Sequence, residues 1–189
     1  MSGTTKRHER LAFLLKRDAL RFGEFPLSSG KISNYYIDGR IVTLSAEGAR
    51  LIALEVLDLL LQFPGVTALG GPSVGADPIV GAVLAMAGLI PHQGLHGLNG
   101  FLVRSEAKEH GTKNRIEGPL TPGSTVAIVD DVATSGGSII NTINAVEELG
   151  CKIAVVIVVV DRLMGAREAL FKRWFEYRSI FTIRDLGIV

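Results

Sequence analysis

The chain has 189 residues, 47% of them hydrophobic and 21% charged, with a formal net charge of +1. That balance excludes a disordered chain, and it lacks the basic excess of a general nucleic-acid binder. The length suits one domain over residues 1–189, read here as a hood of about the first 40 residues on an α/β core over 41–189.

Met1–Glu9 is polar, without the apolar stretch of a secretory signal, and the apolar run Ile153–Val160 is too short to span a bilayer. The expectation is a cytoplasmic protein with no membrane or nucleic-acid partner. Leu11, Leu14, Leu15, Ala19 and Phe22 recur at helical spacing and predict a helix over 7–22. Pro26, Ser28, Ser29 and Gly30 then predict a loop, which enters a short strand at Tyr35-Tyr36-Ile37-Asp38. A second helix is predicted over 45–62, with Ser45 as N-cap and Leu51, Leu54, Leu57 and Leu61 on one face. Val66–Gly70 reads as a strand running into a Gly/Pro-rich turn up to Pro78, followed by an Ala- and Gly-rich helix to about Ala87.

His92 and His96 lie in a glycine-rich connection with no Cys or carboxylate beside them, which argues against a metal site. Phe101–Val103 predicts another strand, and 106–122 is polar without apolar periodicity. Strands at 125–129, 153–160 and 179–183 alternate with helices at 138–149 and about 164–176. Alternation from residue 45 onward implies right-handed crossovers and a parallel sheet flanked by helices. The lone cysteine, Cys151, opens an apolar strand and reads as a small buried residue.

The most specific stretch is Val126-Ala-Ile-Val-Asp-Asp-Val-Ala-Thr-Ser-Gly-Gly-Ser138. An apolar run covered on both faces ends in Asp130 and Asp131, where open α/β sheets place ligands. Thr134, Ser135, Gly136, Gly137 and Ser138 supply hydroxyls and unhindered backbone N–H groups ahead of a helix N-terminus, which suits a phosphate. A second cationic candidate is the segment 104–115, where Arg104, Lys108, His110, Lys113 and Arg115 follow directly from a strand. Loops of that length inside a compact domain are usually functional or disordered.

The 126–138 stretch resembles the 5-phosphoribosyl-1-pyrophosphate (PRPP) signature of the type I phosphoribosyltransferases. The segment 104–115 resembles the catalytic loop of the orotate phosphoribosyltransferase family, with Arg104, Lys108 and His110 at the matching positions. Phe22–Phe25, Leu27–Gly30 and Ser33–Asp38 resemble that family's amino-terminal segment. Gly70–Pro78 resembles its pyrophosphate-side loop, and Val159–Arg162 the strand end that faces orotate. The resemblance covers nearly the whole chain in order. It departs at Ser28, Gly75 and Ser105, where many members carry Lys.

The resemblance implies the type I phosphoribosyltransferase fold and the reaction of orotate with PRPP to give orotidine 5′-monophosphate and pyrophosphate, in pyrimidine (UMP) biosynthesis. It implies a PRPP site formed by Arg104, Ser105, Lys108, His110, Asp130, Asp131, Val132, Ala133 and the 134–138 loop, and an orotate site at Tyr36, Ile37, Thr134 and Arg162. Arg104, Lys108, His110 and Asp131 are the catalytic candidates. Mg²⁺ is implied as an ion carried on pyrophosphate, with no direct protein ligand. A homodimer is implied, with the 104–115 loop acting across its interface. Two other readings share the Asp130–Asp131 region: a phosphoribosyltransferase for a purine base, and a PRPP-binding regulator without catalysis.

Overall fold

The computed structural model describes residues 3–26, 32–89, 95, 97–105 and 115–189. Helix α1 (Gly3–Leu14) widens into a π turn over Leu15–Ala19 and gives way to a hairpin of β1 (Leu20–Pro26) and β2 (Ile32–Ile37). A single turn, α2 (Arg40–Thr43), leads to α3 (Ala46–Leu60), β3 (Ala68–Pro72), α4 (Asp77–Leu89), β4 (Asn99–Val103) and β5 (Ile116–Glu117). The chain then runs through β6 (Thr125–Ala133), α5 (Gly137–Glu148), β7 (Lys152–Asp161), α6 (Ala166–Phe171) and β8 (Tyr177–Thr182).

The main sheet has the order β5-β4-β3-β6-β7-β8, with every pair parallel except the short edge pair β4–β5. After β3 the chain moves outward to β4 and β5, then returns to the other side of β3 for β6. The carboxyl ends of β3 and β6 therefore flank a topological switch point, the place where open α/β sheets hold ligands. Both faces of the sheet are covered, which explains the continuous apolar runs in β6 and β7. Ala127 and Val129 pack with α1, α3 and α4, whereas Val126 and Ile128 pack with α5 and α6. Truncating a fully buried member such as Phe101 to Ala would cost about 3–5 kcal/mol.

The N-cap at Ser45 forms as predicted, its Oγ accepting the Gly48 N–H at 3.1 Å. Cys151 is buried and free. Four local readings change. The helix predicted over 7–22 stops at the π turn, because Leu20 to Phe22 pair with Tyr35 to Ile37 as a strand. The polar stretch 106–122 contains β5, held by antiparallel pairing of Ile116 with Val103 and of Glu117 with Leu102. Strand β6 runs four residues past Val129, since β7 offers continued partners as far as Asp161. The last helix ends at Phe171 rather than near 176, and Trp174 takes a left-handed conformation (φ 63°) that no helix continues.

Candidate active site

Alternation along β6 sends the two carboxylates near its end to different neighbours, although one oxygen of each approaches Gly75. Asp130 turns toward α5, where the Ser138 hydroxyl donates to Oδ2 at 3.3 Å. Asp131 turns toward the chain after β2, where a Cβ placed on Gly39 would lie 2.9 Å from its Oδ2. Each carboxylate also takes a backbone N–H, from Asp131 to Asp130 Oδ1 at 3.0 Å and from Val132 to Asp131 Oδ1 at 2.8 Å. The turn after β3 closes on both: a Cβ at Gly75 would sit 2.5 Å from Asp130 Oδ1 and 2.7 Å from Asp131 Oδ1. A side chain there has no room while both carboxylates keep these positions.

These contacts do not offset the loss of water. Burial, then the neighbouring Asp131 charge, pushes the Asp130 carboxyl well above the ordinary carboxylate range. Asp131 is also raised, chiefly by burial. The pair thus holds more negative charge than its surroundings satisfy, and a ligand offering hydroxyl donors or a cation would relieve it.

The loop after β6 is shaped by Gly136, whose φ of 84° is the left-handed region that favours glycine, and by its packing on Ala166. Two backbone bonds tie this loop to the turn after β7: Arg162 N–H to the Ala133 carbonyl at 2.9 Å, and Ala166 N–H to the Thr134 carbonyl at 3.1 Å. The first turn of α5 follows at once, so its free N–H groups face the same region.

Arg162 closes the opposite wall. Its residue is only 8% exposed, and its Nη2 is buried without a hydrogen-bond partner. Its guanidinium carbon lies 5.0 Å from the Tyr35 ring centre, and Nε donates a long bond to the Tyr35 hydroxyl at 3.4 Å. Of the carboxylates near it in sequence, Asp185 is engaged elsewhere, and Asp161 is engaged through one oxygen while its Oδ2 is buried without a partner. Asp161 Oδ1 accepts the Leu163 N–H at 2.7 Å, and Asp185 Oδ2 accepts from the backbone and hydroxyl of Thr182. Among the described residues no ion pair joins Arg162 to Asp161 or Asp185.

One cleft of about 440 Å³ gathers Tyr36, Ile37, Asp130, Asp131, Val132, Thr134, Ser138 and Arg162. Ala133, Ser135, Gly136 and Gly137 are not among the residues that line it. Arg104 and Ser105 line a neighbouring cavity of about 300 Å³ that shares Pro72, Ser73 and Ser138 as a wall. Arg104 is exposed there and its Nε pairs with Glu117 at 3.1 Å. Lys108, His110, His92, His96, Lys31 and Lys113 lie outside the described residues.

The cleft also contains Asp38 and the 73–75 turn, from the segments that resemble the family's amino-terminal segment and pyrophosphate-side loop, and Gly39 and Arg40, which the sequence did not single out. Arg40 chelates Asp38 through Nε and Nη2 at 2.8 and 3.1 Å, and holds that carboxyl below its ordinary range. The sequence signal was an Asp-Gly-Arg step straight after a strand.

A switch-point cleft that joins an acidic pair, a glycine-shaped loop at a helix N-terminus and a buried guanidinium suits one class of ligand chemistry, a phosphorylated sugar beside a second anionic molecule. A family model described as "Phosphoribosyl transferase domain" matches residues 93–183. A protein of Rhodopirellula baltica named orotate phosphoribosyltransferase is 43% identical over 183 residues, covering 94% of this chain and 93% of its own. The crystal structure of Mycobacterium tuberculosis H37Rv orotate phosphoribosyltransferase in complex with Fe(III) dicitrate is 34% identical, with a TM-score of 0.83 over 96% of this chain and 99% of that one. The same enzyme in complex with PRPP superposes with a TM-score of 0.79 at 31% identity, over 96% and 99% of the two chains. The chain belongs to the orotate phosphoribosyltransferase family, and it has the type I phosphoribosyltransferase fold.

Proposed function

We propose that this protein transfers the 5-phosphoribosyl group of PRPP to orotate, releasing pyrophosphate and orotidine 5′-monophosphate for UMP synthesis. The observation that carries this reading is Arg162, a buried guanidinium with an unmet donor in the same cleft as the acidic pair. A carboxylate-bearing planar base matches that donor, and guanidinium binds carboxylate in bidentate geometry.

In this reading Asp130 and Asp131 accept the ribose hydroxyls, and the backbone and hydroxyls from Ala133 to Ser138 hold the 5′-phosphate at the α5 N-terminus. Tyr36, Ile37 and Thr134 line the pyrimidine. Once orotate N1 has given up its proton to solvent, it bonds to the ribose anomeric carbon as the bond from that carbon to pyrophosphate oxygen breaks, and the electron pair of the broken bond leaves with pyrophosphate. The protein's work is positioning, charge stabilisation and exclusion of water from an oxocarbenium-like centre.

Arg104, Ser105, Lys108 and His110 are assigned to the departing pyrophosphate, with Lys108 or His110 able to give it a proton. That assignment for Lys108 and His110 rests on the sequence. Mg²⁺ fits the oxygen-only, charge-rich surroundings of Asp130 and Asp131, and would arrive on pyrophosphate with its waters retained. It would supply neutralisation of the leaving group. A homodimer in which the 104–115 segment serves the partner's cleft completes the proposal, with residues 1–189 acting as one domain in the cytoplasm. No helix among the described residues is long and apolar enough to cross a membrane.

The test is base selection. With PRPP and Mg²⁺, orotate is consumed while adenine and hypoxanthine are not. Turnover of either purine, or PRPP binding with no base consumed, would overturn the reading.

A further inference from the structure

The cavity beside the main cleft contains a cation that nothing above has used. Arg115 sits at the entry to β5, and its Nε is buried without a hydrogen-bond partner. Among the described residues it forms no ion pair, unlike Arg104, which pairs with Glu117, and Arg40, which pairs with Asp38. Ser73, Ser105, Ser138 and Thr142 line the same cavity, and among the described residues no carboxylate does. Ser73 and Ser138 are also walls of the cleft that holds Asp130 and Asp131. Backbone pairing fixes the arginine's position: its carbonyl accepts the Arg104 N–H at 2.9 Å, and the next residue, Ile116, pairs with Val103 in the sheet.

We infer that Arg115 is a binding residue for a pyrophosphate group, seated in this annex against Ser73 and Ser138 of its own subunit, so that it stays at its own cleft when the preceding residues of the 104–115 segment serve the partner's. The inference rests on the proposed reaction for the identity of the anion, and on the cavity for its place. A multiply charged anion beside two carboxylates needs compensating cations. Ser105 and Gly75 carry none, and a longer side chain at position 75 would collide with both carboxylates. Arg104 must leave Glu117 before it can serve, whereas Arg115 is held in place with its charge unspent. It is thus preorganised, and charge-assisted hydrogen bonds of this kind are the strong ones.

The experiment measures inorganic pyrophosphate binding by calorimetry in the presence of Mg²⁺, together with the KM for PRPP, in the native protein and in Arg115→Met. The expected result is a loss of about 10-fold or more in pyrophosphate affinity, a comparable rise in the PRPP KM, and orotate binding in the absence of PRPP unchanged within about two-fold. Unchanged pyrophosphate affinity and PRPP KM would overturn the inference, as would equal weakening of orotate binding, which marks a general structural defect. Should Arg115→Met not fold, Arg115→Gln retains a long polar side chain without charge and carries the same expectations. If native protein consumes no orotate yet binds pyrophosphate through Arg115, the annex stands and the proposed reaction falls. Orotate turnover with an indifferent Arg115 gives the converse.

Discussion

Asp130 and Asp131 on β6 and Arg162 just beyond β7 lie at neighbouring strand ends, yet their polar atoms are met in opposite ways. Each carboxylate takes a backbone N–H, and Asp130 also takes the Ser138 hydroxyl, within a tight packing of Gly39 and Gly75. Their geometry is complete while their charge is not, as their raised affinity for protons records. Arg162 has the reverse condition: its charge is tolerated over the Tyr35 ring, but a buried donor is left without an acceptor. One region waits for donors or cations and the other for an acceptor, so a single bound pair of sugar phosphate and anionic base would satisfy both. The two are also mechanically joined, since the Arg162 and Ala166 N–H groups bond to the loop that follows the acidic pair.

The sharpest way to break this comparison is on the acceptor-seeking side. Arg162→Ala should lower kcat/KM for orotate by about 100-fold, the value of two charge-assisted bonds, with the KM for PRPP little changed. Steady-state kinetics with each substrate varied in turn would check it. A loss shared equally between the two substrates would show that Arg162 serves only the fold.

Next in size is an attempt to cure the acidic side with a charge. Gly75→Lys adds an ammonium beside both carboxylates, yet its Cβ must enter space 2.5 Å from Asp130 Oδ1 and 2.7 Å from Asp131 Oδ1. Both oxygens are pinned by backbone N–H groups, so neither can yield without giving up its bond. The expected outcome is lower activity, by about 10-fold, and a lower melting temperature. A gain in PRPP affinity would show that the turn moves freely and that Gly75 is not required for space.

The smallest expected effect concerns pH. A carboxyl whose folded-state pKa is raised binds more protons folded than unfolded, so its contribution is full below the ordinary carboxylate range and fades as pH rises through the raised value. The ligand-free native protein should therefore melt lower at about pH 8 than at about pH 5, by roughly 3 °C more than Asp130→Asn does over the same interval. Parallel curves for the two proteins would remove the charge tension from the account.

Much of the acidic side was legible in sequence, because an apolar run ending in two aspartates and a Thr-Ser-Gly-Gly turn allows few other placements. Arg162 was legible only through family resemblance; its isolation from Asp161 and Asp185 depends on where those carboxylates turn, which no spacing reveals. Gly39 and Arg40 escaped notice for a similar reason, since their part arises from tertiary approach to Asp131. The β1 strand was hidden because Leu11 to Phe22 keeps helical spacing, and the irregular pairing between Phe22 and Phe25 interrupts the two-residue alternation. Two-residue β5 exists only because β4 offers it an edge, so it has no periodicity of its own.

The most direct measurement is the fall in orotate absorbance with PRPP and Mg²⁺, for native protein and for Lys108→Ala. The account predicts orotate loss matched by pyrophosphate release in the native protein, and a strong drop in turnover with only modest weakening of orotate binding in the variant. A native protein that leaves orotate untouched would contradict the account at its centre, and equal rates in both proteins would remove the cationic segment from the chemistry.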